Sequence, residues 1–255
     1  ENLCGEIRFF LIRSLSLTGG HLASNLGIVE IAAAIDSVFQ SPKDKIIYDV
    51  GHQCYVHKLL TGRMDQFASL RQLDGLSGFP RPWESPHDAF IGGHASMSIS
   101  AALGMARART LRGEDHSVVC VIGDGEADEG QVWEAFHFAY AHKLDNIIYF
   151  IDNNGYQLDG PTADILDHGN IAKKAESFGL YTQEIDGHDV KAIYDAIQNA
   201  YAKKGVPSCI VLDTCKGKGA TFAEPKHDHS SQPNEEQWAE ALAAAEKALE
   251  DAKNA

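Results

Sequence analysis

Val118-Val119-Cys120-Val121-Ile122-Gly123-Asp124-Gly125 is an unbroken apolar run that ends on a carboxylate held between two glycines. A second apolar run, Asn146–Ile151, leads into Asp152-Asn153-Asn154-Gly155. Short runs rich in Val and Ile read as strands covered on both faces, as in a parallel sheet. A strand that ends in Gly-Asp-Gly puts its carboxylate at the sheet's carboxyl edge, where open α/β folds bind ligands. The glycines let backbone approach a phosphate closely, and a following helix start supplies N–H groups. Yet Asp124 would repel a bare phosphate. The conflict disappears if Asp124 holds Mg2+, a hard cation that takes oxygen ligands and keeps phosphate oxygens among them. Asn154 can give a second oxygen, and a nearby carbonyl a third.

Working outward, the same alternation covers the chain. Strands are predicted at Lys45–Val50, Ser117–Ile122, Asn146–Ile151 and Ser208–Asp213, and helices at Ile28–Phe39, Ser98–Leu111, Gln131–His142 and Val190–Lys203. The expectation is an α/β fold with a mostly parallel sheet and helices on both faces, organised as one domain over residues 1–255. The last segment opens Pro233-Asn234-Glu235-Glu236-Gln237, a capping box with Asn234 as the cap and Gln237 closing it. Trp238, Leu242, Ala245 and Leu249 then follow one face, so a helix over about 234–253 docks on something. Leu73–Gly93 and Asp159–His168 fit neither pattern. Long loops inside a compact α/β domain are more often site-forming than idle.

Composition narrows the function. Lys and Arg number 22 against 36 Asp and Glu, a net charge of −14. That balance argues against nucleic acid or an anionic membrane surface as partner, and makes a metal more necessary for any phosphate ligand. No apolar run approaches the roughly 18 residues of a membrane span. Glu1-Asn2-Leu3-Cys4 opens no export signal, and the absent initiating Met suggests that a few residues precede it. Five cysteines without a CxxC pair fit reduced thiols in a cytoplasmic protein better than disulfides or zinc. Of the twelve histidines most, such as His116, His137 and His142, read as solvated on helices. His21, His52 and His94 follow or sit in Gly-rich turns and read as site residues, with hydrogen-bonded turn roles as the plainer alternative. His188 reads more readily as a turn former.

Gly123-Asp124-Gly125 followed, after residues 126–152, by Asn153-Asn154 resembles the thiamine-diphosphate motif of the transketolase superfamily. Gly123–Glu126 running to Glu129-Gly130-Gln131-Val132-Trp133-Glu134 is similar to transketolase, as are Lys143–Asn146, Asp152–Thr162, Asp186-Gly187-His188-Asp189 and Lys216-Gly217-Lys218-Gly219. Gly19–Gly27, Tyr48–Arg63 and Gly75–Ser100 instead resemble 1-deoxy-D-xylulose-5-phosphate synthase, a sister family using the same cofactor. The matches cover most of residues 19–220, in the order found in both families. The resemblance implies a thiamine-diphosphate-binding fold of the diphosphate-binding type. Asp124, Asn154 and the Tyr156 carbonyl would ligate Mg2+, with Gly125 and Glu126 against the cofactor. His52 and the Gly93-His94-Ala95 turn would touch the cofactor, and His21 would face substrate. His21, His52 and His229 are the implied proton-transfer residues, although Ser230 replaces the usual glycine after that histidine and His227 competes for its place. Glu129 and Glu134 match acids at the transketolase dimer contact.

The chemistry implied first is transfer of a two-carbon unit from a ketose phosphate to an aldose. The synthase-like first third implies the alternative, decarboxylation of a 2-oxo acid followed by ligation. A non-catalytic cofactor-binding subunit is the reading from another class. In both families the glutamate that sets the aminopyrimidine tautomer lies in a second domain, which nothing up to Ala255 resembles. The expectation is the diphosphate-binding subunit of a split transketolase. It would act on sugar phosphates with a C-terminal, pyrimidine-binding transketolase subunit as an α2β2 assembly, and be inactive alone.

Overall fold

The computed structural model describes residues 2–224 and 233–254. Asn2–Thr18 forms α1, which buries Cys4, Ile7, Leu11, Ile12 and Leu15 along one face. After the Gly19-Gly20 break come α2 (Leu22–Gly27), which the sequence reading does not name, and α3 (Val29–Val38), the helix predicted over Ile28–Phe39. Ile28, at φ −113° and ψ 19°, is the joint between them. The chain continues through β1 (Lys45–Tyr48), α4 (Tyr55–Lys58), α5 (Met97–Arg112), β2 (Val118–Gly123), α6 (Gly130–Ala141) and β3 (Ile147–Asn153). A small hairpin, β4 (Tyr156–Gln157) and β5 (Gly160–Pro161), precedes α7 (Thr162–Ile165) and α8 (Ile171–Ser177). Then follow β6 (Tyr181–Asp186), α9 (Val190–Ala202), β7 (Ser208–Asp213) and α10 (Glu235–Asn254).

Five strands form one parallel sheet in the order β1-β2-β3-β7-β6. The register sets Gly123 beside Asp152 and Asn153 beside Asp213, so the carboxyl ends of the three central strands lie level. Successive strand residues face opposite sides. Val119 and Val121 join the core under α1, α3 and α9, while Val118, Cys120 and Ile122 join the one under α5, α6 and α8. The predicted α/β architecture with helices on both faces is the one observed.

Three sequence expectations change. The strand predicted to reach Val50 stops at Tyr48, because Val50 turns into a left-handed conformation at φ 55°. The strands predicted at Ser117–Ile122 and Asn146–Ile151 run on to Gly123 and Asn153, carrying their pairing to the sheet edge. Asp159–His168 is not plain loop: it contains β5 and α7. The capping box of α10 forms in both directions, Asn234 N–H to Gln237 Oε1 and Gln237 N–H to Asn234 Oδ1, each 2.9 Å. The apolar stripe of α10 docks on the chain's own core: Ala241 and Ala245 are buried, Trp238 and Leu242 pack on that core, and the Trp238 ring meets Phe222 edge-on at 5.2 Å. No helix among the described residues is long and apolar enough to cross a membrane.

Candidate functional site

The carboxyl ends of β1, β2 and β3 open into a cleft of about 260 Å³. Asp124 stands on its floor, fully buried. Its Oδ2 accepts the Gly155 N–H at 2.8 Å and the Thr162 hydroxyl at 3.2 Å. Its Oδ1 is buried too, and no hydrogen bond from the described residues reaches it. Burial, and next the Asp152 charge, pushes the Asp124 carboxyl up to about 7. At the floor of an open cleft, a buried carboxylate oxygen in this state is a place for an ion, a water or a ligand.

The neighbours sharpen the point. Asp152 accepts from the Thr214 hydroxyl and from Asn154 Nδ2, the latter at 2.9 Å. That bond fixes which end of the Asn154 amide faces the strand, and leaves Oδ1 on the turn, where it accepts the Tyr156 N–H at 3.1 Å. Glu126 accepts the Gly123 N–H, and burial, with Asp49 next, pushes its carboxyl up to about 8. Asp49 and Asp152 are raised as well, each by burial. The floor therefore gathers four acids that resist ionising together. Lys216 is the cation set among them: it is buried, lines the cleft, and brings its ammonium to 3.5 Å from the Tyr156 carbonyl.

These residues fit a hard divalent cation. Asp124 supplies an oxygen with no other partner among the described residues, and Asn154 and Tyr156, which line the same cleft, supply neutral oxygens. Among the described residues no three His, Cys, Asp or Glu side chains converge as a metal cluster. A cation here would lean on one carboxylate, neutral donors and its ligand's own oxygens, which is the magnesium-phosphate habit rather than the zinc one. Gly125 suits a close approach by another route than backbone freedom. A Cβ there would stand 2.6 Å from the Gln157 Cβ, closing the floor against the β4–β5 hairpin.

His21 and His52 form the opposite wall, their rings edge-on with centroids 5.5 Å apart. Asn25, fully buried in α2, holds both in place. Its Nδ2 donates to the His21 carbonyl at 2.8 Å and the His52 carbonyl at 2.9 Å, and its Oδ1 accepts the Tyr55 N–H at 2.8 Å. Val50, a β-branched residue at φ 55°, is strained backbone beside this wall. Asp49 secures the next turn by accepting the N–H groups of Ser96 and Ser98. Within that turn Ala95 lines the cleft, whereas Gly93 and His94 are exposed at its rim, His94 Nδ1 lying 2.9 Å from the Ala95 carbonyl. A second cavity adjoins through His21 and is lined by Gly19, Gly20, Arg71 and Trp238.

The structure thus brings His21, His52, Ala95, Asp124, Gly125, Glu126, Asn154 and Tyr156 around one cleft. Gly93 and His94 are set beside it rather than in its wall. Glu129 and Glu134 are exposed at the start of α6, Glu129 as its N-terminal flank. His227 and His229 lie outside the described residues. Sequence reasoning gave no role to Lys216, Asp152, Asp49, Asn25 or Arg71. Lys216 and Asp152 stand inside stretches that resemble the cofactor families, so a signal existed for those two.

With this geometry in view, the chain can be set beside known proteins. A family profile described as 1-deoxy-D-xylulose-5-phosphate synthase matches residues 1–162. The chain is 44% identical over 272 residues to the 1-deoxy-D-xylulose-5-phosphate synthase of Pelotomaculum thermopropionicum, covering 89% of this chain and 42% of that protein. It is 56% identical over 151 residues to the one of Syntrophomonas wolfei, covering 59% and 24%. The chain therefore spans less than half the length of these relatives. Among solved structures, the transketolase of Pichia stipitis in complex with sedoheptulose 7-phosphate superposes with a TM-score of 0.80 at 22% identity, over 97% of this chain and 44% of that one. The transketolase of Campylobacter jejuni gives 0.79 at 22%, over 98% and 47%. At that identity the likeness is one of fold.

Proposed function

The chain belongs to the 1-deoxy-D-xylulose-5-phosphate synthase family, and from that premise we propose that it binds thiamine diphosphate through Mg2+ and serves decarboxylation of a 2-oxo acid followed by ligation. The observation that carries the cofactor reading is the orphaned Oδ1 of Asp124 on the floor of a cleft at the sheet's carboxyl edge. The family match favours this chemistry over ketose-to-aldose transfer, which the sequence alone put first. Carbon counting names the substrate classes. A five-carbon 1-deoxyketose phosphate follows from a three-carbon 2-oxo acid that loses carbon dioxide and a three-carbon aldose phosphate.

Asp124, the Asn154 amide oxygen and the Tyr156 carbonyl would hold the metal. The Gly125 backbone and the Lys216 ammonium would face the diphosphate, Lys216 offsetting charge that the net of −14 cannot. When bound, thiamine diphosphate supplies the carbon nucleophile and the electron sink for decarboxylation. Glu126, with its carboxyl near 8, would stay protonated near neutral pH and so add no repulsion to the diphosphate. His21 and His52 would hold or move protons at the substrate's oxygens, in reach of each other across the wall. Arg71, sharing a cavity with His21, would receive the anionic end of a substrate. Residues 1–255 would act as one diphosphate-binding unit in the cytoplasm, working with a pyrimidine-binding half that completes the cofactor site. Glu129 and Glu134 would meet a second copy of this unit.

Calorimetric titration of the chain, assembled with a pyrimidine-binding half, with thiamine diphosphate tests the cofactor reading. Binding is expected with Mg2+ present and is lost on chelation. Equal affinity with and without the metal would overturn it.

A further inference from the structure

The Asp186-Gly187-His188-Asp189 turn has no place in the cleft wall, yet it is wired to it. His188 sits between two partners. Its Nδ1 lies 3.0 Å from Glu30 Oε2, and its Nε2 accepts the Cys215 N–H at 2.8 Å. Because Nε2 is the acceptor, the ring proton belongs on Nδ1 and is donated to Glu30. Glu30 lies in α3, buried, far along the sequence from both. Arg8 from α1 grips the same carboxylate as a fork, Nη1 to Oε1 at 3.0 Å and Nη2 to Oε2 at 2.9 Å. Burial pushes the Glu30 acid up, but the bonds from His188 and Arg8 outweigh it and hold it at about 2. It is an anion at working pH.

Arg8 does not stop at Glu30. Its Nε donates to the Lys218 carbonyl at 3.0 Å. One carboxylate therefore governs two donors or acceptors that bracket Lys216: the Cys215 N–H on one side through His188, and the Lys218 carbonyl on the other through Arg8. The Gly217 N–H is tied separately to the Ala23 carbonyl at 2.9 Å. α2, which runs into α3, fits close against this turn, since a Cβ on Gly27 at its end would lie 3.5 Å from the Lys216 Cα. The turn leaves β7 and delivers a buried ammonium into the cleft. A lysine has four rotatable side-chain bonds, so fixing its backbone on both sides is what limits where its charge can stand.

We propose that Glu30 is a positioning residue that, through His188 and Arg8, locks the Cys215–Lys218 turn so that Lys216 presents its ammonium to the anionic ligand of the cleft. This rests on the cofactor reading above only for the choice of ligand. The clamp itself is visible without one.

Two measurements on the full chain test it. Amide hydrogen exchange at Cys215 should speed up roughly tenfold or more in His188→Phe and in Glu30→Gln, the loss of about one buried hydrogen bond. His188→Gln offers one donor and one acceptor and should keep protection; Glu30→Gln carries the test if His188→Phe fails to fold. Affinity for Mg2+ with thiamine diphosphate, read by calorimetry, should fall roughly tenfold in His188→Phe, but no further when Lys216 is already Ala. Unchanged exchange at Cys215, or losses that simply add in the double variant, would overturn the proposal. If the wild-type chain, assembled with a pyrimidine-binding half, shows no affinity for the ligand, the cofactor reading fails, and the exchange measurement alone decides the clamp.

Discussion

Replacing Asp124 by Asn should stabilise the metal-free protein while abolishing what metal and cofactor add. Asp124 is pushed from an ordinary 3.8 to about 7, by burial first and Asp152 second. The unfolded chain gives up that proton near 3.8. The proton held by the folded state is thus a stabilising contribution that is complete below pH 4 and is lost as pH rises through 7. At about 1.4 kcal/mol per pK unit, the full loss is on the order of 4 kcal/mol. Asp152 and Glu126 share the cluster and redistribute protons among themselves, so about 2 kcal/mol is the expected gain from removing one charge. Asn keeps an oxygen for the Gly155 N–H and the Thr162 hydroxyl, so the packing of the floor survives. For a chain of this length each kcal/mol moves the midpoint by roughly 2–4 °C. In EDTA at pH 8 the variant should therefore melt about 4–8 °C above wild type, the difference shrinking toward zero at pH 4. Mg2+ with thiamine diphosphate should reverse the order. At a hundredfold excess over its dissociation constant the ligand adds about 2.7 kcal/mol to wild type and nothing to the variant. Scanning calorimetry at both pH values, with and without ligand, reads all four states. A variant that melts below wild type in EDTA at pH 8, or that climbs on adding the ligand, refutes the reasoning.

Asn25→Ala should cost about 2–4 kcal/mol in urea unfolding, because it strands the His52 carbonyl and the Tyr55 N–H in a buried place and leaves the His21 carbonyl only the backbone N–H of residue 25; a loss below about 1 kcal/mol would mean that the wall is held otherwise. Asp88→Asn should cost about 3–5 kcal/mol at pH 7, since Asp88 takes both Arg63 nitrogens at 2.7 and 2.9 Å and the Arg81 N–H at 2.7 Å. Burial pushes that carboxyl up, but His57, Arg63 and the Arg81 N–H outweigh it and hold it well below the ordinary range. Its contribution is present above about pH 4 and fades below, so the gap between variant and wild type should narrow in acid. Gly125→Ala should fold, yet lose at least roughly tenfold in cofactor affinity by titration, as its methyl group presses on Gln157.

The parts of this molecule that were legible in the sequence are those where one segment carries its own signal. Val118–Ile122 is apolar at every position because both faces of β2 are covered, and Gly123-Asp124-Gly125 announces the strand's end. β6 was hidden for the opposite reason. It is an edge strand, Tyr181–Asp186, with Gln183 and Glu184 on it and only Ile185 packed on the core under α1, so neither run nor alternation marks it. The buried stripe of α1 does stand at helical spacing from Cys4 to Leu15, and was available to the same logic as α10. Asn25, Asp49 and Glu30 could not be found this way. Each is a polar residue whose meaning comes from partners far along the chain, such as Glu30 and His188, 158 residues apart. Asp124 was legible because two glycines and a strand end leave a carboxylate little structural purpose. The reaction was not, because two families share that floor and differ in what is built around it.

The most direct test of the account follows carbon. The chain assembled with a pyrimidine-binding half, Mg2+ and thiamine diphosphate would be given pyruvate labelled at its carboxyl carbon together with glyceraldehyde 3-phosphate. The prediction is labelled carbon dioxide released one for one with a 1-deoxyketose phosphate, and none from Asp124→Ala. Two-carbon transfer from a ketose phosphate to an aldose, with no carbon dioxide from pyruvate, would contradict it.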